Sequence, residues 1–237
     1  MNSEIEKLKN IILNSNNIVF FGGAGVSTES GIPDFRSADG LYQNNPETIL
    51  SHSFFLKNPE IFFEFYKKNL IFTEAKPNAA HNILAKMEKD KKLKGIITQN
   101  IDALHQKAGS SNVFELHGSI SRNFCMKCRK YYSLDDLLDI KTLVPLCSCG
   151  GIIKPDVVLY EEELDYDVIN GAVKLLKNAD VLIVGGTSLM VNPAASLINY
   201  FSGSCLALIN ISSTPYDSQA DIIIREKIGE TFTEIYK

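Results

Sequence analysis

Cysteine spacing gives the clearest chemical signal in this sequence. Four of the five cysteines form two close pairs, in which two residues separate Cys125 from Cys128 and one residue separates Cys147 from Cys149. Four thiolates complete a zinc tetrahedron and leave no position for water, as in structural zinc sites. We therefore predict one structural Zn²⁺ bound by these four residues. Cys205 lies in an apolar run and is expected to be a core residue.

A glycine-rich loop follows the first apolar run. Gly22, Gly23 and Gly25 would allow backbone N–H groups to approach a pyrophosphate at a helix N-terminus. The dinucleotide fingerprint is incomplete, because Thr28 stands at the third glycine position and no acidic residue follows a strand about 20 residues later. The next residues, "GIPDFR" (31–36), combine glycine, proline, an acidic, an aromatic and a basic residue within six positions. This composition is unusual for a simple connecting loop and indicates a functional one.

Two more polar clusters lie where predicted strands end. The stretch "TQNIDALH" offers Gln99, Asn100 and Asp102, and "ELHGS" offers His117. Open α/β sheets bind ligands at the carboxyl ends of their strands, so these side chains are expected in the same crevice as the glycine loop. An imidazole titrates near neutral pH, which makes His117 the favoured catalytic base.

The other three histidines are interpreted as supporting residues. His52 and His81 fall in predicted helical segments and are expected to be structural. His105 follows Asp102 within one helical turn, so it is expected to support Asp102 from outside the crevice.

Alternating strands and helices would position these side chains. Apolar runs predict strands at 17–21, 94–100, 112–118, 180–188 and 205–210. Helical spacing predicts helices at 3–15, 79–89, 166–178 and 193–201. Runs that are apolar throughout indicate strands covered on both faces, as in parallel sheets. The alternation therefore predicts an α/β fold with a doubly wound parallel sheet.

Two segments interrupt the alternation. Residues 38–76 are aromatic-rich with helical spacing, and residues 119–155 contain the paired cysteines. We predict that the helical insertion and the zinc-binding module form a smaller domain. The larger domain would then consist of residues 1–37, 77–118 and 156–237.

The overall composition favours a soluble protein. The 237 residues are 45% hydrophobic and carry a net charge of −4, so no nucleic acid or anionic membrane is expected as a partner. The polar start "MNSEIEKLKN" contains no apolar run long enough for a signal peptide or a membrane span. A cytoplasmic location is expected.

The ordered motifs resemble those of the sirtuins of bacterial type, which are NAD-dependent protein deacylases. The resemblance rests on "GAGVSTESGIPDFR", "TQNIDALHQKAG", "ELHGS", the two cysteine pairs, "PDVVLY", "GTSLMVNPA" and "LIN", from about residue 20 to residue 215. It implies a Rossmann-like NAD-binding domain that carries a small zinc domain. It further implies that NAD and an acyl-lysine peptide enter the cleft between the two.

The resemblance also implies roles for individual residues. His117 and Asn100 would be catalytic, and Val158 and Tyr160 would flank the acyl-lysine. The implied NAD-binding residues are Gly23, Ala24, Gly25, Ser27, Thr28, Phe35, Arg36, Gln99, Asn100, Ile101, Asp102, His117, Gly186, Thr187, Ser188, Asn210 and Ile228.

The implied activity is removal of acetyl groups from lysine side chains, with NAD cleaved to nicotinamide and O-acetyl-ADP-ribose. Sirtuins that prefer acidic acyl groups carry a Tyr-x-x-Arg pair, whereas here Asn69 follows Tyr66 and no arginine occurs from 37 to 121. Acidic acyl groups are therefore disfavoured. Mono-ADP-ribosyl transfer and removal of longer apolar acyl groups stay open as alternatives.

Two rival classes and one specificity hypothesis also stay open. The stretch "RNFCMKCRKYY" interleaves basic and aromatic residues, as in nucleic-acid-binding zinc ribbons. A nicotinamide-dependent dehydrogenase would need the acidic ribose ligand that the fingerprint lacks. The acidic run from Glu161 to Glu163 would either favour peptides with basic flanks or form a solvated turn.

Overall fold

The computed structural model describes residues 3–34 and 46–236, and a six-stranded sheet is its centre. All neighbouring strands of this sheet run parallel, in the order β3-β2-β1-β7-β8-β9. The strands are β1 (Ile18–Gly22), β2 (Leu93–Thr98), β3 (Val113–Glu115), β7 (Val181–Gly185), β8 (Cys205–Ile209) and β9 (Ile222–Ile224). The predicted doubly wound parallel sheet is confirmed.

Nine α-helices lie in the described part of the chain. They are α1 (Ser3–Asn14), α2 (Pro46–Ile49), α3 (His52–Lys57), α4 (Pro59–Asn69), α5 (Ala79–Lys89), α6 (Leu104–Lys107), α7 (Leu134–Asp139), α8 (Tyr166–Lys177) and α9 (Ile228–Ile235). The predicted helices at 3–15, 79–89 and 166–178 are confirmed as α1, α5 and α8. The helical segment predicted at 193–201 is a 3₁₀ helix, Ala195–Tyr200.

Strand β1 shows why the apolar runs form a sheet that is covered on both faces. All five of its residues are buried, and successive side chains point to opposite faces of the sheet. Phe20 packs on one side with Ile5 and Leu8 of α1, whereas Phe21 packs on the other side with Leu176 of α8. Burial on both sides removes the alternation of polar residues that a half-exposed strand would need.

A smaller antiparallel sheet carries the cysteines. It pairs β5 (Tyr131–Ser133), β4 (Gly118–Cys125) and β6 (Ile153–Val157) in the order β5-β4-β6. This sheet begins one residue before the predicted module at 119–155 and ends two residues after it. The assignment of these segments to separate domains stays a prediction.

An aromatic cluster fills the described part of the predicted helical insertion. Phe55 and Phe62 lie edge to face with ring centroids 4.8 Å apart, and Phe63 and Tyr66 complete the group. These rings belong to one hydrophobic core with Ile153 of the antiparallel sheet. The helices α3 and α4 therefore pack against the cysteine-bearing sheet.

None of the helices within 3–34 and 46–236 is both long and apolar enough to cross a membrane.

Candidate active site

The glycine loop lies against the carboxyl end of the neighbouring strand β7. The N–H of Gly25 donates to the carbonyl oxygen of Gly186 at 2.8 Å. A Cβ atom at Gly25 would lie 2.8 Å from the Cα of Gly186, and one at Gly23 would lie 2.8 Å from the Cβ of Thr187. Both positions therefore require glycine, because a Cβ would lie too close to the backbone of Gly186 at Gly25 and to the side chain of Thr187 at Gly23.

A buried network joins the glycine loop to the segment after β2. Ser27 is fully buried, and its hydroxyl donates to Asp102 Oδ2 at 2.7 Å. The same hydroxyl oxygen accepts a hydrogen bond from Asn100 Nδ2 at 3.1 Å. The structure thus brings together three of the predicted NAD-binding residues. Ser27 connects the carboxylate and the amide that the sequence placed in one crevice.

Gln99 connects two further strand ends. Its side-chain oxygen Oε1 accepts a hydrogen bond from Thr187 Oγ1 at 2.7 Å, and Thr187 follows β7. Its backbone carbonyl oxygen lies 2.9 Å from His117 Nδ1. A carbonyl oxygen can only accept, so His117 donates through Nδ1–H and its Nε2 carries the free lone pair.

The environment of His117 favours its neutral form. Burial lowers the pKa of His117 from its ordinary value of 6.5, and the hydrogen bond to the carbonyl of Gln99 opposes part of this shift. A neutral imidazole with Nδ1 occupied is able to accept a proton at Nε2 near neutral pH.

Hydrogen bonds hold two further segments that contain predicted NAD-binding residues. Thr28 donates its hydroxyl to the carbonyl oxygen of Gly25 at 3.0 Å, so it closes the loop that also contains Ala24. The carbonyl of Ile101 accepts from the N–H of Ile120 at 3.0 Å, which ties the segment after β2 to the antiparallel sheet.

Two predicted residues flank the far strands of the sheet. Asn210 directly follows β8, and its side-chain amide donates to the carbonyl oxygen of Ser212 at 2.8 Å. Ile228 is buried in the core, with only 3% of its surface exposed, so the structure gives its side chain no open face toward a cofactor.

Ser188 lies in the loop after β7. Phe35 and Arg36 lie outside the described residues.

The predicted substrate segment adjoins His117 directly. The N–H of Val158 donates to the carbonyl oxygen of His117 at 3.0 Å. Two residues later, Tyr160 exchanges backbone hydrogen bonds with the segment before α3, because its N–H donates to Leu50 and its carbonyl accepts from His52, both at 3.0 Å. The predicted base and the predicted peptide-binding segment are therefore consecutive parts of one hydrogen-bonded layer.

The acidic run after Tyr160 is partly neutralised. Glu161 accepts from the N–H of Ser53 at 2.8 Å and from its hydroxyl at 2.9 Å. Glu162 lies 2.7 Å from His52 Nδ1 and 3.1 Å from Lys154 Nζ. The hydrogen bond from the Leu159 N–H and these partners hold the pKa of Glu162 below its ordinary value, although burial opposes the shift.

The acidic run therefore has a structural function that the sequence did not indicate. Its carboxylates join the substrate segment to α3 across more than 100 residues of sequence. A groove of about 450 Å³ lies beside this junction, between Tyr160 and Lys57. Because Glu162 contacts His52 and Lys154, any preference for peptides with basic flanks would depend on Glu161 and Glu163.

The four predicted zinc ligands converge on one point. The Sγ atoms of Cys125, Cys128, Cys147 and Cys149 all lie within 4.8 Å of one another. The pairs Cys125–Cys149 and Cys128–Cys147 are 3.4 and 3.6 Å apart. Zinc–sulfur bonds of about 2.3 Å in a tetrahedron require sulfur atoms about 3.8 Å apart, so this donor set fits Zn²⁺. Cys205 is buried in the core, as predicted.

Two histidines form a buried pair behind the crevice. The rings of His81 and His105 have centroids 4.8 Å apart, and both are at most 1% exposed. Burial lowers the pKa of His81 to about 4, although the Asp102 carboxylate opposes the shift. Burial, together with His81, lowers the pKa of His105 to about 3. Both are therefore neutral in the folded chain, and full burial fits the structural role predicted for His81. His105, which was predicted to support Asp102, makes no side-chain hydrogen bond to it among the described residues.

Comparison with known proteins decides the family. The model of the Sir2 family matches residues 23–193, which is most of the chain. This chain belongs to the Sir2 family. The resemblance to sirtuins is thereby confirmed, together with the Rossmann-like fold that it implied.

Curated Sir2-family relatives match nearly the whole chain. A protein of Clostridium tetani named "NAD-dependent protein deacetylase" is 61% identical over 231 residues, which are 94% of each chain. Proteins with the same name from Clostridium perfringens and Staphylococcus aureus strain N315 are 58% and 47% identical. The Clostridium perfringens match covers 99% of this chain and of the relative, and the Staphylococcus aureus match covers 95% of each.

Solved Sir2 structures share this architecture. A Sir2 complex described as containing a p53 peptide and NAD⁺ superimposes with a TM-score of 0.90 at 38% identity, covering 98% of this chain and 96% of that chain. A structure of Sir2 bound to acetylated peptide gives a TM-score of 0.88 at 36% identity, with the same coverage. The Sir2 fold of this chain is thus established along its length.

Proposed function

We propose that this chain is an NAD-dependent protein lysine deacetylase that converts NAD, an acetyl-lysine peptide and one water molecule into nicotinamide, O-acetyl-ADP-ribose and the free lysine. The observation that carries the proposal is the position of His117. Its ring is oriented by Gln99 in the crevice, and its backbone carbonyl binds Val158 of the peptide-binding segment. One residue therefore connects the proposed NAD site with the proposed substrate site.

The residues at the strand ends suit the binding of NAD. Gly23 and Gly25 leave the backbone of the loop bare, which suits close approach of a pyrophosphate. Asp102 offers a carboxylate that would accept from the carboxamide of nicotinamide, and Ser27 holds that carboxylate in place. We assign the adenosine half to Thr187, Ser188 and Asn210, which replace the acidic ribose ligand that the fingerprint lacks. NAD supplies the glycosidic bond whose cleavage drives the reaction.

The chemistry assigned to the protein is orientation and one proton transfer. Asn100 and Asp102 would orient the nicotinamide end, so that the acetyl oxygen of the substrate meets the ribose carbon along a productive line. His117 would then accept a proton at Nε2 from a ribose hydroxyl. The neutral state of His117, which burial favours, is the state that this step requires.

The peptide is assigned to the edge formed by Val158 and Tyr160. An extended peptide would lie along this segment and bind through backbone hydrogen bonds, which are independent of the peptide sequence. It would replace or extend the present internal contacts, because the N–H of Val158 and both backbone groups of Tyr160 are hydrogen-bonded within the chain. Tyr66 is fully buried, and the side chain of Asn69 donates to the carbonyl oxygen of Phe65 at 2.9 Å. Neither offers a cation to an acidic acyl group, so acetyl and longer apolar groups are favoured.

The four cysteines are assigned one structural Zn²⁺ that stabilises the antiparallel sheet. Four thiolates leave no open coordination position, so no catalytic step is assigned to the metal. Reduced cysteines persist in reducing compartments, which supports a cytoplasmic location for the protein.

The stoichiometry of nicotinamide release tests the proposal. An acetyl-lysine peptide and NAD are incubated with the protein, and both products are quantified by liquid chromatography. We expect one nicotinamide for each deacetylated peptide, and loss of both products in His117→Ala. If nicotinamide is released while the peptide keeps its acetyl group and gains ADP-ribose, the chain is a mono-ADP-ribosyltransferase instead.

A further inference from the structure

Asn78 lies between a helix cap and the glycine loop. It is the N-cap of α5, and its Oδ1 accepts from the N–H of Ala80 at 2.9 Å and from that of His81 at 3.4 Å. In return, the N–H of Asn78 donates to His81 Nδ1 at 3.3 Å. This reciprocal capping box would be complete with an oxygen acceptor alone, because capping makes no use of the side-chain amide donor.

The amide donor of Asn78 binds the loop instead. Its Nδ2 donates to the carbonyl oxygen of Val26 at 2.7 Å and to the hydroxyl of Ser30 at 3.0 Å. Both partners are about 50 residues away in sequence. Asn78 thus holds two points of the loop, one on each side of Ser27.

The contact with Val26 reaches the crevice through one peptide bond. The carbonyl of Val26 and the N–H of Ser27 belong to the same planar peptide group, so fixing the carbonyl fixes the backbone of Ser27. The Ser27 hydroxyl in turn binds both Asn100 and Asp102. A hydrogen bond outside the crevice therefore determines where three crevice side chains meet.

We propose that Asn78 is a positioning residue for NAD, acting through Val26 and Ser27, in addition to its role as a helix cap. The inference rests on the proposed NAD-dependent function. Asn78 contacts the loop backbone and Ser30. It would therefore affect how well the loop is ordered before NAD binds. The KM for NAD would then depend on Asn78, whereas the KM for the peptide would not.

Replacement by serine separates the two roles of Asn78. Serine caps helices as well as asparagine does, but its hydroxyl lacks the second donor arm. For Asn78→Ser we expect a KM for NAD raised about tenfold, since two hydrogen bonds are lost. The KM for the acetyl-peptide should change less than about twofold, and the Tm should fall slightly because the two lost hydrogen bonds also stabilise the fold.

The matched control is Asp165→Ala, which removes the N-cap of α8 on the opposite side of the sheet. It should lower the Tm and leave both KM values unchanged. An unchanged KM for NAD in Asn78→Ser, or equal effects on both KM values, would overturn the inference.

Hydrogen exchange tests the same inference without relying on activity. Backbone amides of residues 24–32 are followed by mass spectrometry in the wild type, Asn78→Ser and Asp165→Ala, all without NAD. We expect exchange about tenfold faster in Asn78→Ser alone. Unchanged exchange would refute the positioning role. If exchange changes as expected but the wild type does not turn over NAD, the proposed function fails while the positioning of the loop by Asn78 stands.

Discussion

His117 donates a hydrogen bond from Nδ1 to the carbonyl oxygen of Gln99 at 2.9 Å. This contact fixes the tautomer, because a carbonyl offers no proton in return. The free nitrogen, Nε2, is then the only ring position from which His117 can act as a base. A backbone acceptor keeps this arrangement independent of the side chain at position 99.

The pH dependence of turnover should report the state of His117. Burial lowers its pKa below 6.5, so the imidazole is neutral above that value and becomes protonated as the pH falls through the lowered pKa. We expect kcat/KM to stay constant from pH 8 to about 6.5 and to fall at lower pH. Steady-state rates from pH 5 to 8 test this. A loss of kcat/KM that begins above 6.5 would contradict the assignment.

Removal of the Ser27 hydroxyl should weaken the crevice. Ser27→Ala deletes the donor to Asp102 and the acceptor for Asn100 at a fully buried position. A loss of about 1–3 kcal/mol of transition-state stabilisation would lower kcat/KM for NAD by roughly 5- to 150-fold. Ser110→Ala is the control, because its buried hydroxyl has no hydrogen-bond partner among the described residues. Similar losses in both variants would show that the network has no specific role.

The buried histidine pair should make stability sensitive to acid. His81 and His105 have pKa values lowered to about 4 and about 3, so the folded chain keeps both neutral while the unfolded chain binds protons below 6.5. Their contribution to stability is complete above 6.5 and is lost as the pH falls toward 4 and 3. The free energy of unfolding should fall by about 1.4 kcal/mol per pH unit for each group.

Urea unfolding of the wild type and of His105→Phe between pH 6.5 and 5 isolates one of these groups. Phenylalanine is neutral at every pH and can fill the apolar site beside Phe20. The free energy of unfolding should fall less steeply with decreasing pH in the variant. The difference in slope should approach about 1.4 kcal/mol per pH unit, which corresponds to one bound proton. Equal slopes would show that His105 does not remain neutral in the folded chain.

Metal content should depend on the paired cysteines and not on Cys205. Elemental analysis is expected to find one zinc per wild-type chain, and Cys147→Ser should lose it together with part of the thermal stability, because thiolate ligation stabilises the small sheet. Cys205→Ser is the control, since Cys205 is a core residue far along the chain from the cluster. Zinc retained in Cys147→Ser and lost in Cys205→Ser would refute the site.

The central strands and the zinc site could be predicted from the sequence because each imposes a local pattern. A strand that is buried on both faces needs an unbroken apolar run, as in β7 and β8, and a thiolate site needs its ligands at short spacing. The last elements were missed. Strand β9 has only three residues, and α9 follows it after three more, so neither run is long enough to stand out.

Contacts between distant segments could not be predicted from the sequence either. Asn78 directly precedes α5, and nothing in the neighbouring sequence shows that its side-chain amide reaches Val26. Similarly, the run from Glu161 to Glu163 suggested an exposed acidic edge, whereas the fold directs Glu162 to Lys154 and His52. Tertiary partners decide such roles, and spacing along the chain does not encode them.

The fate of the acetyl group distinguishes NAD-dependent deacetylation from the alternative reactions. A peptide whose acetyl-lysine carries ¹³C in the acetyl group is incubated with NAD and the protein, and the products are analysed by mass spectrometry. We expect the label to leave the peptide and to appear on ADP-ribose only when NAD is present, and to stay on the peptide with His117→Ala. Label that stays on the peptide, or that is released as acetate without NAD, would contradict it.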